Sequence, residues 1–541
     1  MKLINGSDKN LSNILQDQQF QKMRKVNNMN NENNENEQKS SKAEQRARSS
    51  SISETFVKRF NEECSPHYII DHNGEIFITH KCEGVPSIIK IEKNSSERYI
   101  MTLMRKFLLG GGSRIAQGAI EELQSIAFEK GLQKKVYVRN GKKDNSIYID
   151  LANPQIKGFI KIDPDVGFQH TTDCPVPLWT SPILRPLPYP KTISRNEFFK
   201  IWETLFNFEE DYGSYLLLVF VLKCLIIDSG TCPFLIFEGP QGSGKSTMTK
   251  IVKELVDPTH PLLVTLPDKE ETIAIIASLT LLPAFDNISR LNYDTADALC
   301  RLSTGSGLGS KRKLFSNSEL STFDVQRSVI FNGIEDLSSR PDFQDRSITL
   351  HLKSFDKDEK ILKSDSVFWE EFKVIHGNLL GGLYEILSQV LGVLPSVTTT
   401  NLPRLSDFTR VGLALDKVLD KPEGHFEKIF TNHQKAKIFN LFSNDEFALR
   451  LKEILEKNDG KLEDSPMKIL LKINSPERAR HNTNLPKNIM QFRGQLKRSK
   501  AVLEEAYNIK FLDLPRSSSQ RMMRIWIENY EPFSDSGDLL I

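Results

Sequence analysis

The middle of the chain alternates short apolar runs with segments of helical periodicity. The segment PFLIFEGPQGSGKSTMTKIVKEL is an apolar strand, a glycine-rich loop and a helix in direct succession. Three more apolar runs follow, PLLVTL, LTLLPAFDN and RSVIFNG, and the last two end in polar residues. Strands that alternate with helices are typical of an α/β core with a parallel sheet. We therefore predict an α/β core over residues 191–360.

The chain before this core divides into a polar tail and a second α/β segment. Residues 1–52 are rich in Asn, Gln, Glu, Lys and Ser, which predicts a disordered tail. Residues 53–190 begin with β-rich runs on both sides of Asn73-Gly74, a strong hairpin signal. A helical stretch over residues 95–130 and further short strands follow. This segment is predicted to be an N-terminal α/β domain.

Composition favours a soluble protein of a reducing compartment. The 541 residues are 39% hydrophobic and 26% charged, which is ordinary for globular domains. The most apolar run, residues 215–227, is too short to cross a bilayer, and no signal peptide is visible. Six cysteines without a CxxC pair do not indicate a disulfide framework. We therefore expect a cytoplasmic protein with no membrane span.

Several possible metal ligands lie close together in the N-terminal domain. Their spacing matches no standard zinc pattern, and three of them lie on or beside the predicted hairpin. Ordinary hairpin residues are the favoured interpretation, and a zinc site is the alternative. These residues are Cys64, His67, His72, His80 and Cys82.

The glycine-rich loop carries the pattern GxxxxGK[ST] and predicts an ATP site. Glycines let backbone N–H groups surround phosphates without side-chain clash, and the N-terminus of the following helix favours negative charge. Lys245 is expected to reach the β- and γ-phosphates, and the Ser246 hydroxyl to bind Mg²⁺. The predicted ATP-binding residues are Gly239, Pro240, Gln241, Gly242, Ser243, Gly244, Lys245, Ser246 and Thr247.

Polar residues at the ends of two later strands extend the predicted catalytic set. Asp286 closes an apolar strand and is expected to bind Mg²⁺ together with Ser246, as such acidic residues do in P-loop ATPases. Asn332 ends the next strand, where it would sense the γ-phosphate and orient the attacking water.

Two arginines follow the strand that ends in Asn332. Arg346, with Arg340 as the reserve candidate, suits an arginine finger that acts on the nucleotide of a neighbouring subunit. The alternative for Arg346 is a structural salt bridge to Asp342 or Asp345.

Taken together, these motifs resemble a known family. They look like the ATPase core of mobile-element and prophage replication proteins, which are related to superfamily 3 helicases and more distantly to AAA+ motors. The resemblance covers about residues 185–435 and implies a P-loop NTPase fold and a hexameric homo-oligomeric ring that moves on DNA at a replication origin. The motifs that carry it are GPQGSGKST, ELVDP, AFDNIS, ADALCRLSTG, KRKLF, VIFNGIED, RPDFQDR, LPRLSDFTRVGLAL and PEGHFEKIF.

One position departs from the broader AAA+ pattern. Those proteins usually place Glu after the metal-binding Asp as general base, whereas this chain has Asn287, which cannot take a proton. Glu238, Asp294 and Asp297 are candidate substitutes, and the sequence does not choose among them. ATP binding is therefore better supported than the mechanism of hydrolysis.

A basic hairpin is predicted just before the strand that ends in Asn332. KRKLF and LSTFDV read as two strands around the polar turn SNSE. In superfamily 3 helicases a hairpin at this place points basic residues into the central channel. The resemblance therefore implies that Lys311, Arg312 and Lys313 grip single-stranded DNA. A solvated basic edge strand is the alternative.

The chain after the core is predicted to form a helical lid over residues 361–462 and a winged-helix-like domain over residues 463–541. The second of these reads as a helix from Pro486 and two strands, IKFLDL and MMRIWIE. Its excess of basic residues fits duplex DNA, and a protein contact is the alternative. The predicted DNA contacts are Arg493, Lys497, Arg498, Arg516 and Arg521.

These features predict an ATP-dependent DNA helicase or origin-remodelling motor of a mobile genetic element or phage. Such a motor would hydrolyse ATP to ADP and phosphate, with Mg²⁺ as cofactor. The first alternative is an ATP-switched DNA-binding initiator that loads another helicase, and Asn287 favours it slightly. The second is a small-molecule kinase, against which the finger-like arginines and the basic C-terminus argue. No primase motif is apparent, so a primase or polymerase is a possible partner.

Overall fold

The computed structural model describes the chain in segments that fall into two compact units. The first unit lies within residues 1–161, 169–186 and 310–324, and the second within residues 162–168, 187–309 and 325–541. The described residues are 45, 48–81, 86–92, 96–107, 109, 112–226, 230–288, 291–312, 320–333, 340–354, 365–398, 404–443, 446–474, 485–517 and 520–530. Apart from residue 45 and residues 48–52, the predicted polar tail lies outside them.

The elements before the core are three helices and short strands. In chain order they are α1 (48–64), β1 (His67–Ile70), β2 (Ile76–His80), β3 (Ser87–Lys90), α2 (Glu97–Lys106), α3 (Ser113–Lys130), β4 (Leu132–Gln133), β5 (Tyr137–Val138), β6 (Asn140–Lys143), β7 (Ser146–Asp150), β8 (Phe159–Asp163), β9 (Gly167–Thr171) and β10 (Leu178–Trp179).

The first unit confirms the hairpin and the helices predicted for this segment. β1 and β2 pair antiparallel around Gly74, whose φ of +75° only glycine adopts readily. They lie in a sheet of order β3-β2-β1-β4, and β6 to β9 form a second sheet in sequential order. α2 and α3 divide the predicted helical stretch. Phe56 and Phe60 of α1 pack with Ile120 and Leu123 of α3 in the core of this unit.

The cysteines differ from expectation at one position. Cys64 is disulfide-bonded, whereas Cys174, Cys224, Cys232 and Cys300 are free. The hairpin returns the chain to the end of α1, where Lys81 N donates to the Cys64 carbonyl oxygen at 3.3 Å. Spacing along the sequence does not reveal this return. A disulfide-bonded Cys64 offers no thiolate to a metal, and the described residues contain no group of three or more His, Cys, Asp or Glu placed to hold a metal ion.

The second unit contains the predicted α/β core apart from its hairpin. The elements of the core along the chain are α4 (Arg195–Leu205), α5 (Gly213–Leu225), β11 (Phe234–Glu238), α6 (Lys245–Val256), α7 (Glu270–Leu279), β12 (Ala284–Ile288), α8 (Tyr293–Thr304), β13 (Leu308–Arg312), β14 (Leu320–Phe323), β15 (Val329–Gly333), α9 (Pro341–Gln344) and β16 (Ser347–His351).

Four parallel strands of this core form a sheet of order β12-β15-β11-β16. Phe234, Phe285 and Phe331 are buried on three neighbouring strands, where Phe285 stacks on Phe331 and Phe234 meets Phe331 edge to face. Because the strands are parallel, the residues that follow β11, β12 and β15 meet at one edge. Loops at the carboxyl ends of parallel strands are where such sheets bind ligands.

The run PLLVTL does not form the full strand that its composition predicts. It pairs with β12 through a single parallel bridge between Val264 and Phe285. Pro261 and Pro267 bracket the run, and a proline has no N–H to extend a ladder. The bridge still carries two hydrogen bonds, from Val264 N to Ala284 O and from Asp286 N to Val264 O, at 3.1 and 3.0 Å.

β13 and β14 pair in a two-stranded sheet, which confirms the predicted hairpin. Residues 310–324 belong to the first unit, although the chain on both sides belongs to the second. The backbone N of Asp324 donates to Asn73 Oδ1 at 2.7 Å within that first unit.

A buried carboxylate joins α6 to the entry of β12. Asp257 is fully buried and accepts hydrogen bonds from Lys253 Nζ at 3.2 Å and from the backbone N–H groups of Leu281 and Leu282 at 2.7 and 3.1 Å. The Thr280 hydroxyl also donates to it. Lys253 is itself only 1% exposed. Buried charges are tolerated only when they are paired in this way.

The chain after the core is mainly helical, as predicted. It contains α10 (Asp365–Val393), a 3₁₀ turn (Leu394–Ser396), α11 (Ser406–Val418) and α12 (His425–Ser443). Among the described helices only α10 with the 3₁₀ turn, Asp365–Ser396, is long and apolar enough to cross a membrane. Of its most apolar window, 67% is buried inside the protein, as in a core helix.

The last described segment is a small helical and β module. Its elements are α13 (Glu446–Glu456), β17 (Lys461–Asp464), α14 (Pro466–Ile473), α15 (Ile489–Arg498), α16 (Lys500–Tyr507), β18 (Ile509–Ser517) and β19 (Gln520–Ile527). The strands form an antiparallel sheet of order β17-β19-β18. The predicted helix is divided at Ser499, and the two predicted strands are confirmed.

We expect Lys253→Met to destabilise the second unit by about 3–5 kcal/mol, because it leaves Asp257 as a buried charge without its cation. Urea unfolding followed by circular dichroism measures the effect. The matched control is Lys250→Met, since Lys250 lies on the same helix and is partly exposed. Equal unfolding midpoints for the two variants would contradict a stabilising role for the ion pair.

Candidate functional site

The loop between β11 and α6 has a backbone conformation that favours glycine. Gly239, Gly242 and Gly244 have φ values of +150°, +84° and +86°. A Cβ on Gly239 would lie 2.8 Å from the carbonyl oxygen of Leu352. The loop therefore excludes side chains at these points, which lets its N–H groups approach a ligand closely.

Two polar side chains of this loop fit a phosphate group. Lys245 Nζ donates to the carbonyl oxygens of Gly239 and Pro240 at 2.5 and 2.8 Å, so its charge lies over the loop. Ser243 is 2% exposed, and its Oγ has no hydrogen-bond partner in the described part of the chain. A buried hydroxyl without a partner is unfavourable, and a phosphate oxygen would satisfy it.

The predicted metal ligands lie side by side. Ser246 Oγ, on the first turn of α6, is 3.0 Å from Asp286 Oδ1, on β12. Mg²⁺ is commonly bound by one or two carboxylates together with phosphate and water oxygens. The hydroxyl and carboxylate oxygens here fit that donor set, and they lie beside the glycine-rich loop.

Asn332 is a buried link between three elements. It is 2% exposed, its Oδ1 accepts from Asn287 N at 2.9 Å, and its Nδ2 donates to Thr249 Oγ1 at 3.0 Å. The Thr249 hydroxyl in turn donates to the Lys245 carbonyl oxygen at 2.9 Å. This chain of hydrogen bonds connects β15, the end of β12 and the first turns of α6.

Asn287 is held in an uncommon backbone conformation beside Asp286. Its φ is +55°, in the left-handed region, and the pairing of β12 with β15 shifts register at this point. Asn tolerates this region better than most residues. Gly333 lies opposite, where a Cβ would come 2.1 Å from the Ile288 carbonyl oxygen. The bulge leaves the Asn287 side chain exposed at the edge of the sheet.

A histidine and two glutamates adjoin the glycine-rich loop, and sequence reasoning identified only one of them. His351 Nδ1 lies 2.5 Å from Glu210 Oε1, and its Nε2 lies 3.4 Å from Glu238 Oε2. Hydrogen bonds to Glu210 and Glu238 raise the pKa of His351 to about 10. Glu238, a candidate general base, is thus paired with a cation. Glu210 lies 141 positions from His351, so no local pattern signals this contact.

Arg346 is largely buried within its own chain. It is 7% exposed, and its Nη1 donates to the Asp342 carbonyl oxygen at 2.6 Å, while the Asp342 carboxylate lies 4.0 Å away. Arg404 Nη1 pairs more closely with the carboxylates of Asp342 and Asp345, at 2.9 and 3.2 Å. The contact of Arg346 is therefore mainly with backbone.

Arg340 is more accessible than Arg346. Its Nη2 pairs with Asp297 Oδ1 at 2.7 Å, its Nη1 donates to the Tyr293 carbonyl oxygen at 2.7 Å, and its guanidinium lies 5.0 Å from the centroid of the Tyr293 ring. Tyr293 is 76% exposed. Asp297, another candidate base, is thus already paired, and α8 and the start of α9 together present an exposed aromatic and basic surface.

The predicted DNA contacts are described in part. Lys497 and Arg521 are exposed, and Arg493 Nη2 pairs with Asp513 Oδ1 at 3.1 Å. Of Lys311, Arg312, Arg498 and Arg516 the structure describes the backbone, and Lys313 lies outside the described residues. Lys311 and Arg312 end β13, on the predicted hairpin.

The family model for the actinomycete integrative conjugative element replication protein matches residues 201–421. The middle of the chain is therefore similar to a replication protein of mobile elements. No curated protein sequence matches the chain.

Two solved structures show weak similarity. An apo structure of the NrS-1 C-terminal region has a TM-score of 0.37 and 12% identity, over 88% of this chain and 98% of that chain. The JCV helicase has a TM-score of 0.19 and 14% identity, over 44% of this chain and 71% of that chain. At these TM-scores the similarity carries no functional argument.

We expect the free energy of unfolding to decrease as pH rises from about 6.5 to about 10, and we expect His351 to cause part of this decrease. In this range the folded protein retains a proton on His351 that the unfolded chain has lost, since an ordinary histidine titrates near 6.5. Urea unfolding at pH 6 and pH 9.5 gives the decrease in the free energy of unfolding between the two pH values. This decrease should be larger in the wild type than in His351→Gln by at least about 1 kcal/mol.

The matched control for this measurement is His72→Gln, which changes an exposed histidine of the first unit. It should keep the wild-type pH dependence. The same pH dependence in His351→Gln and the wild type would show that the glutamates do not hold the proton.

Proposed function

We propose that the protein is an ATP-dependent DNA helicase or origin-remodelling motor of a mobile genetic element, which hydrolyses ATP to ADP and phosphate. The observation that carries this proposal is the contact of Ser246 with Asp286 beside a left-handed glycine loop. The similarity of residues 201–421 to a mobile-element replication protein supports the biological setting. The chain belongs by this reading to the P-loop NTPases of AAA+ and superfamily 3 type.

ATP would bind with its phosphates in the loop of residues 239–247. The N–H groups of the loop, the Ser243 hydroxyl and Lys245 would contact phosphate oxygens, and Lys245 would exchange its loop carbonyls for them. Ser246 and Asp286 would hold Mg²⁺, which supplies charge stabilisation for the transferring phosphoryl group when bound. ATP and Mg²⁺ are thus the substrate and cofactor that this geometry fits.

Asn287 would position the attacking water without taking its proton. A carboxamide does this in GTPases of the P-loop class, where a glutamine orients the water. Here the bulge directs the Asn287 side chain away from the sheet, and Asn332 fixes its backbone N–H. Asn332 then acts by positioning Asn287 and the P-loop helix, a role different from direct contact with the γ-phosphate. Glu238 would remain paired with His351.

The arginine finger of a ring would come from Arg340 or Arg346. Arg340 needs only to leave Asp297 to reach a neighbouring subunit, and its stacking on Tyr293 already places it on an exposed surface. Arg346 would have to leave a largely buried position. Accessibility therefore favours Arg340, which reverses the order that the sequence motifs predict.

The last module would bind duplex DNA as a winged helix. Its order of α13, β17, α14, α15, α16, β18 and β19 places two strands after the helices, and Lys497 and Arg521 are exposed on it. Lys311, Arg312 and Lys313 would contact single-stranded DNA from the hairpin. An initiator that loads another helicase is the second candidate, because Asn287 replaces a general base.

We expect Lys245→Ala to abolish ATP turnover and the stimulation of turnover by single-stranded DNA. The reason is that Lys245 supplies the cation at the phosphate loop. Steady-state phosphate release, with and without single-stranded DNA, measures this. Lys250→Ala on the same helix is the control and should keep wild-type turnover. Unchanged phosphate release in Lys245→Ala would contradict the proposal that ATP is hydrolysed at this loop.

Strand displacement on a forked duplex separates the two candidate functions. A helicase displaces the strand at a rate that requires ATP hydrolysis, whereas a loader hydrolyses ATP and displaces nothing on its own. DNA-stimulated ATPase without displacement would assign the protein to the loader class.

We expect Asn287→Gly to lower kcat at least about tenfold, the effect of losing about 1.4 kcal/mol of transition-state stabilisation, while ATP affinity is retained. Glycine keeps the left-handed backbone without strain, so the variant removes only the carboxamide. Turnover and nucleotide titration measure the two effects separately. Wild-type kcat in Asn287→Gly would show that the water is positioned by another group.

A further inference from the structure

A groove on the last module combines apolar and basic side chains. It has a volume of about 600 Å³ and lies between the starts of α14 and α15 and the start of β19. Met467, Ile489 and Met490 line it and are 49%, 41% and 82% exposed. Arg493 and Arg521 line it as well. Large apolar side chains exposed together mark an interaction surface.

We propose that residues 531–541 of this same chain dock in the groove. The segment has the sequence EPFSDSGDLLI, which contains three acidic residues, four large apolar residues and no Lys or Arg. Its acidic residues complement Arg493 and Arg521, and its apolar residues complement the methionines and Ile489. Docking of this kind joins burial of apolar surface to charge complementarity.

The chain leaves the module at a point from which this segment reaches the groove. Tyr530 packs on Gly460, before β17, and its OH donates to the Glu456 carbonyl oxygen at 3.1 Å. The groove lies at the other end of β17, at Ser465. The five residue steps from Gly460 to Ser465 along β17 separate the two ends by about 17 Å. Eleven extended residues span up to about 36 Å, so the segment reaches with length to spare.

Arg521 is the main electrostatic anchor for this segment. It is exposed, and among the described residues no ion-pair partner is seen for it. Arg493 is already paired with Asp513, at 3.1 Å, so it would share its charge between Asp513 and the segment. Because both side chains are at least partly exposed, salt should weaken the docking.

Docking of the segment would compete with DNA. Arg493 and Arg521 are among the residues proposed above to contact duplex DNA, and an acidic segment over them removes them from that surface. This competition rests on the proposed function, whereas docking itself does not. The segment would then restrain DNA binding until a DNA phosphate backbone displaces it.

Docking is tested with the full chain and with the chain ending at Tyr530. The probe is a fluorescent peptide of residues 531–541, and fluorescence anisotropy measures its binding. We expect the shortened chain to bind the peptide saturably, and the full chain to bind it at least tenfold more weakly, because a tethered segment acts at about millimolar effective concentration. Raising the salt concentration should weaken binding.

Two variants of the shortened chain locate the site. Met490→Asp and Arg521→Glu should each weaken peptide binding at least tenfold, and both positions are exposed, so folding is kept. Lys472→Glu changes an exposed basic residue of α14 outside the groove lining and should bind like the parent. A thermal melt of each variant checks that the module is folded.

Three results would overturn the docking proposal. The first is no peptide binding to the folded shortened chain, and the second is equal binding by the full and shortened chains. The third is binding that neither groove variant changes. A shortened chain that instead forms dimers through Met490, measured by light scattering, would assign the groove to a second copy.

Duplex affinity distinguishes the competition from the docking. The shortened chain should bind duplex DNA at least several-fold more tightly than the full chain, and added peptide should reverse the gain. Peptide binding without any change in duplex affinity would support docking in the groove. It would contradict the proposal that duplex DNA binds to the same surface of this module.

Discussion

Asp257 fixes the geometry on which the candidate site depends. Its carboxylate joins the end of α6 to the residues that enter β12, through Lys253 and two backbone N–H groups. Ser246 lies at the other end of α6 and Asp286 lies further along β12, and their side-chain oxygens meet at 3.0 Å. A rigid helix and a rigid strand held at one end bring their opposite ends into a defined register. The distance between Ser246 and Asp286 thus depends on a buried ion pair, Lys253–Asp257, that lies outside the site.

A second network acts closer to the site. Asn332 connects Thr249 on α6 with the bulge at Asn287, and Gly333 allows β15 and β12 to approach at that bulge. His351 likewise joins Glu210 to the last residue of β11. These buried polar contacts tie each strand end to the glycine loop. A change of charge in the loop would therefore affect α6, β11, β12 and β15 through fixed hydrogen bonds rather than through flexible side chains.

The sequence predicts well whatever depends on local pattern. The glycine loop, the strands that carry Asp286 and Asn332, and the hairpin at Asn73-Gly74 all follow from the spacing of neighbouring residues, although both strands run past the predicted ends. It predicts poorly the contacts that join distant positions. The pairing of His351 with Glu210 and the disulfide bond of Cys64 depend on how the chain returns on itself.

Side-chain environment is the other part that the sequence does not reveal. The motifs rank Arg346 before Arg340 as the candidate finger, yet Arg346 is buried against backbone and Arg340 is stacked on an exposed ring. The same holds for Glu238 and Asp297, whose neighbouring cations decide their availability as bases. Position in a motif specifies which residues are near the site, and packing decides which of them are free to act.

The placement of residues 310–324 has a consequence for how this protein is divided into fragments. The hairpin is encoded within the core but belongs structurally to the first unit. A fragment that starts at residue 187 would carry this hairpin without the rest of the unit to which it belongs. Fragment boundaries placed at a single point of the sequence therefore separate the hairpin from the rest of the first unit. The same interleaving means that an inherited exchange of the core segment between related proteins would also exchange a part of the first unit.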